Sequence, residues 1–298
     1  FFQIIEKAKI TDKDLIAKAK LTLAWANTMK GNFQTSNDVL AQALSIYGIE
    51  NSNYDGDDAG IYEQIQNHNL ISAVNRFLQK DYEDLREELF EYTMFSQDSG
   101  SEFYKNIFKT LLGKLICDSK QAKRAMEIYN EQITFFAEKK LAFGALLTWY
   151  LIAEASMITK SPKSTIETAS QALEIAQNPH INNYFFIVIL KTLIAKAYMK
   201  LSDFESAKNN LESAVSIAKK YNMNDFVSKI YFIFGKYYQE IGTVNSQNQT
   251  EYLKGAVKMY DKALEKVNKN TRNSYLKNKI IAYKKSLETY CTNNGYTI

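Results

Sequence analysis

Apolar residues recur at spacings of three and four along most of the chain, and the pattern is clearest between residues 187 and 218. Ile187, Leu190, Ile194, Ala197, Tyr198 and Leu201 share one helical face. After a short turn at Leu201 and Ser202, so do Phe204, Ala207, Leu211, Ala214, Val215 and Ala218. The spacing predicts two antiparallel helices. Ser202 and Glu205 stand three apart, the signature of a capping box, in which hydroxyl and carboxylate each take one orphan amide at a helix start. The second helix is therefore expected to begin near Asp203.

The second helix carries Ala207-x3-Leu211-x2-Ala214, and related triplets recur: Ala256, Tyr260, Ala263; Ala125, Tyr129, Gln132; Thr165, Ala169, Ala172; Ser36, Leu40, Ala43. Leu85, Leu89 and Tyr92 make the weakest copy. Their spacing of about 40–49 residues is that of a helix-pair repeat. First-helix signatures precede them at the right distance: Trp149-x2-Ile152-Ala153, Leu112-Gly113 and Tyr231-x2-Phe234-Gly235-x2-Tyr238. A small residue in each lets helices approach, and the large ones fill the neighbouring groove.

This resembles the tetratricopeptide repeat over about residues 10–268, without its terminal proline and with longer units. The resemblance implies an all-α, right-handed superhelix of helix pairs. One domain is expected over residues 1–298, with repeats near 10–48, 65–95, 103–137, 144–178, 184–221 and 226–268. A capping helix is expected at 272–291, covering the exposed face of the last repeat. Residues 49–64 and 240–251 are rich in Asn, Asp, Gly, Ser and Thr and are expected to be loops.

Composition narrows the field. With 2 Pro and 11 Gly in 298 residues, few helix breakers are present, and turn-rich or Pro-rich architectures are excluded. A net charge of +4 without a concentrated basic block gives no nucleic-acid footprint. Lys284 and Lys285, and the run from Lys266 to Arg272, read as solvated helix faces. Cys117 and Cys291 form no paired framework, which fits a reducing, cytoplasmic compartment. No apolar run reaches membrane length. The opening FFQIIEKAKI lacks the order of a signal peptide.

Candidate chemistry is sparse. Asp55, Asp57 and Gly60 hint at a calcium loop, but Ala59 and Gln66 stand where ligands are needed. His68 and His180 have no zinc partners at ligand spacing. Phosphate-loop, dinucleotide and nucleophile-elbow motifs are absent. The sequon at Asn248 reads as idle. No enzyme activity, metal or cofactor is expected.

The inner face of the array is the remaining candidate, because the first helix of each pair lines it. One residue past the small position of each unit stand Trp25, Val74, Lys114, Glu154, Lys196 and Lys236. One turn back lie Tyr150, Thr192 and Phe232; one turn on lie Met157, Met199 and Gln239. Ammonium groups beside aromatic and thioether surface suit a peptide, whose carboxylates the lysines can meet. The expected binding set is Lys114, Tyr150, Glu154, Met157, Lys196, Met199, Phe232, Lys236 and Gln239.

Three stretches sharpen the resemblance: VILKTLIAKAYMKLSDFESAKNNLESAVSIAKKYN, YFIFGKYYQE and TEYLKGAVKMYDKALEKV. They look like the C-terminal half of PlcR-type regulators, of the Rap, Rgg, NprR, PlcR and PrgX family of Gram-positive bacteria. The resemblance implies a cytoplasmic quorum-sensing regulator that binds a short linear signalling peptide, forms a homodimer and controls transcription. DNA would be reached through a helix-turn-helix domain, for which the residues before Thr11 are too few. Other readings stay open: a protein–protein scaffold, a Rap-like protein acting on a response regulator, or an all-α enzyme or carbohydrate-binding domain.

Overall fold

The computed structural model describes residues 11–49, 59–118, 121–244, 248–270 and 274–297, and among these it contains thirteen helices and no strand. The chain forms two compact units, Phe1–Ile116 and Cys117–Ile298.

The first unit holds α1 (Lys13–Lys30), α2 (Phe33–Ile46), α3 (Ala59–Gln79), α4 (Leu85–Asp98) and most of α5 (Glu102–Asp118). α1 packs on α2 and on α3, and α3 packs on α4. Leu21, Ala24, Val39, Leu40, Ala43 and Ile71 form its core, with Trp25 against them. Ser36, Leu40 and Ala43 are all buried, so the triplet read from the sequence is the packing stripe of α2. Ser36 replaces an alanine without loss because its hydroxyl donates to the Ala24 carbonyl at 2.9 Å and accepts from Asn75 Nδ2 at 3.0 Å. That network ties three helices together. Arg76 clamps the next turn through Asp81 and Glu88.

His68 sits on α3, and burial holds its imidazole below the ordinary 6.5 despite an Asn69 hydrogen bond. The folded state therefore favours neutral His68, while the unfolded chain protonates first as pH falls. Stability is expected to be full above about 6.5 and to decline as pH falls from there toward the lower folded value. Urea titrations of wild type and His68→Gln across pH 5–7.5 test this. The variant should have the flatter slope; equal slopes would exclude His68 as the cause.

The second unit contains α6 (Ala122–Glu138), α7 (Ala142–Ile158), α8 (Pro162–Gln177), α9 (Tyr184–Lys200), α10 (Phe204–Lys220), α11 (Asn224–Val244), α12 (Gln249–Asn270) and α13 (Ser274–Asn293). Each packs on the next in chain order. The stripes read from the sequence face inward with one phase. Ala125, Tyr129, Gln132 and Phe136 are buried on α6; Thr165, Ala169, Ala172 and Ala176 on α8; Ala207, Leu211, Ala214 and Ala218 on α10; Ala256, Tyr260, Ala263 and Val267 on α12. Small residues dominate because each helix must lie close to both the helix before it and the helix after it. α11 and α12 make the most extensive contact. There the Tyr260 ring fills the space where Gly235 has no side chain.

The turns share one geometry. Lys140, Lys160, Ser202 and Asn222 adopt left-handed φ of 55°, 62°, 61° and 55°. In each case the following amide reaches back to a carbonyl five residues earlier, as from Leu141 to Phe136 (2.9 Å) and from Asp203 to Tyr198 (3.0 Å). This corrects the capping box: Ser202 belongs to the end of α9. Asp203 is the N-cap of α10, its carboxylate accepting from the Ser206 amide at 3.0 Å. A left-handed lysine costs roughly 1–2 kcal/mol, partly offset by the extra chain entropy of glycine. Lys160→Gly, at φ 62°, is thus expected to stabilise by about 0.5–1 kcal/mol in thermal melts. A lower melting temperature would refute that account of the turn.

Two expected loops are partly helix. α3 already begins at Ala59, because Ile65 and its neighbours are buried against the unit's core. Asp55 and Asp57 lie outside the described residues. α11 continues to Val244 because α12 lies along it, with Gly242 close to Tyr252 and Leu253. Residues 245–247 lie outside the description, as do the opening FFQIIEKAKI and Arg272.

Candidate functional site

In the second unit α7 packs on α9, and α9 on α11, whereas α8, α10 and α12 have, among the described residues, no packing of that extent among themselves. Rows of helices that touch on one side and stand apart on the other curve toward the touching side. The first helices of the pairs therefore line the inner face of this unit. Lys200 and Glu240, at equivalent positions of α9 and α11, face each other across that contact, with their charged groups 3.8 Å apart.

The expected binding residues differ in their surroundings. On α7, Tyr150, Glu154 and Met157 are half-buried and share one face, since they lie three and four residues apart. Lys196 of α9 is exposed at the position equivalent to Glu154. These four form the accessible part of the set.

On α11, Phe232, Lys236 and Gln239 are engaged by neighbouring helices. Phe232 is buried, with its ring centroid 5.2 Å from that of Tyr283 on α13 and 5.8 Å from that of Tyr260. The Lys236 ammonium lies 5.3 Å from the centroid of the Tyr283 ring. Gln239 accepts a hydrogen bond from the Tyr260 hydroxyl at 2.9 Å. Burial pushes that hydroxyl well above the usual phenol range, so it keeps the proton it donates. α13 buries Leu276, Ile280, Leu287 and Cys291 and packs on α12. It supplies the covering that the end of a repeat array requires.

Three residues expected to contact a ligand are instead core. Phe232 is covered by α13. Met199 is only 6% exposed on α9. Lys114 belongs to the first unit and is 4% exposed, on a helix whose neighbouring Phe108, Leu111 and Cys117 are also buried. Repeat phase gave each residue its angular position but not the depth of the neighbours around it.

Two inner-face residues were missed. Ile158 and Lys200 stand one position after Met157 and Met199, and both are exposed, Ile158 at 44% and the Lys200 side chain at 62%. The same phase would have found them, one residue further along each helix. Cys117 and Cys291 are both buried. Among the described residues no cluster of His, Cys, Asp or Glu is placed to hold a metal, and no helix is long and apolar enough to cross a membrane.

No protein-family model matches the chain, and no curated protein matches it. Among solved structures, a Rap protein complexed with competence and sporulation factor is similar over 93% of this chain and 99% of that chain, at 10% identity and a TM-score of 0.49. The all-α architecture rests on the helix pairs themselves.

Proposed function

We propose that this chain is the sensor module of a peptide-responsive regulator and that it holds a short, extended signalling peptide on the inner face of its second unit. One observation carries the reading: successive first helices touch, so Tyr150, Glu154 and Met157 of α7 lie beside the exposed Lys196 of α9 on one concave side. Aromatic and thioether surface supplies apolar contact. Charged groups of both signs supply orientation to a ligand that has its own charges.

In this reading, occupancy shifts the curvature or pairing of the repeats. The signal then passes to transcription through an attached DNA-binding domain. The regulators that the sequence resembles supply that last step.

A diverse library of short peptides, screened in solution against the full chain, tests the proposal. Some members should bind, and Tyr150→Ala/Lys196→Ala should weaken them about ten-fold or more. Binding of folded partner proteins but of no short peptide would favour a scaffold instead.

A further inference from the structure

Charge is divided unevenly between the two units. The first holds 17 Asp and Glu against 12 Lys and Arg, and the second holds 16 against 25. In each unit one helix displays part of that surplus beside large exposed apolar side chains.

In the first unit the helix is α4. It packs on α3, and its Tyr92 ring meets Phe108 of α5. Its open side carries Phe90, 61% exposed, and Met94, 41% exposed, one turn apart. Glu87, Glu91 and Asp98 stand on the same side and are exposed. Among the described residues none of the three meets a cation, and Arg76 is engaged by Asp81 and Glu88. Glu87 and Glu91 repel at their spacing of four, and Asp98 ends the helix where its dipole disfavours an acid. Arg86, the one basic residue of α4, lies at the edge of this side.

In the second unit the helix is α13. Lys277, Ile281 and Lys285 make an exposed stripe along it, each one turn from the next, with Ile281 44% exposed. Among the described residues neither lysine meets an acid. Glu288 on the same helix is engaged by Lys284, which also pairs with Asp261.

We infer that α4 of one copy of this chain docks on α13 of a second copy. The faces match in spacing as well as in charge. With Ile281 seated between Phe90 and Met94, Lys277 and Lys285 lie about 6 Å to either side along the axis, at 1.5 Å per residue. Glu87 and Asp98 then lie about 7.5 and 9 Å to either side, and Glu91 stands between them. The flexible four-carbon stem of lysine covers the remaining offset. The contact is heterologous, because the two copies offer different patches. One helix on one helix buries less than the roughly 1,000 Å² of a stable interface, so association is weak and salt-sensitive. The inference is independent of the peptide reading above.

Sedimentation equilibrium of the full chain tests it, at chain concentrations up to about 500 µM. At low salt the average mass should rise with concentration, and high salt should return it toward one chain. Glu87→Lys/Asp98→Lys and Lys277→Glu/Lys285→Glu each set like charges face to face. Each variant alone should associate about ten-fold more weakly than wild type. An equimolar mixture of the two should recover association, because acid again meets base in every mixed pairing. All four positions are exposed, so thermal melts of both variants should match wild type.

A wild type that stays a single chain throughout would overturn the inference. So would variants that associate as wild type does, or a mixture of folded variants that associates no better than its components. A monomeric wild type that binds a basic amphipathic peptide through Phe90 would assign α4 to another partner, and the inference would fall.

Discussion

Gly235→Ala is expected to lower stability by about 2 kcal/mol, although helix propensity alone predicts the opposite sign. In a helix interior, alanine is better than glycine by about 1 kcal/mol. At this site, however, an added Cβ would lie 2.2 Å from Cε1 and 2.4 Å from Cδ1 of Tyr260. Carbon atoms at optimal contact are about 3.5–4.0 Å apart. The ring cannot swing aside, because Tyr260 is fully buried and its hydroxyl is held by Gln239. α11 and α12 would have to separate, and overpacking of this kind costs about 1–3 kcal/mol.

The sequence suggests its own rescue. The equivalent pair one repeat earlier is Ala195 and Leu211, a larger residue facing a smaller one. Gly235→Ala combined with Tyr260→Leu should therefore be less harmful than the two single changes together. Chemical denaturation of all four forms gives the coupling. Simple additivity would show that Gly235 is not there to make room for Tyr260.

Gln132→Met should act in the other direction and raise stability by about 1–2 kcal/mol. Gln132 is fully buried on α6, and neither end of its amide has a hydrogen-bond partner. Leaving a buried polar group unsatisfied costs roughly 1–3 kcal/mol. Ala43, Ala172, Ala214 and Ala263 occupy the same position in other repeats, so the site is built for an apolar group. Methionine keeps the length and shape of glutamine and removes both polar atoms, which avoids the cavity that alanine would leave. A shift of the urea midpoint to higher concentration, at unchanged slope, is the expected signature. An unchanged or lower midpoint would mean that the amide is stabilised in a way its packing does not reveal.

Both changes fall on the repeat stripe, the feature most legible in the sequence. Ala207, Leu211 and Ala214 defined a phase, and the same phase located buried positions on α2, α6, α8 and α12. The candidate site was legible only in part. Tyr150, Glu154, Met157 and Lys196 are where the phase put them, on the accessible side of α7 and α9. Phe232 and Met199 share that phase and are buried. Burial depends on what lies above a residue, and for Phe232 that is Tyr283, about 50 positions later in the chain. Ser202 shows the same limit at short range. Its spacing to Glu205 suited a cap, but the backbone placed it in the left-handed turn and gave the cap to Asp203.

By itself, the sequence determined most of the helices, the pairing of successive helices in the second unit and the small residues at their contacts. These follow from periodicity and side-chain size, which act over three or four residues at a time. Tertiary structure alone decided which inner-face residues remain open to a ligand. Packing α7 on α9 and α9 on α11 created the face, and α13 engaged its far end. Lys196 and Lys200 stay exposed, while Phe232 is covered, because the elements that pack over them differ.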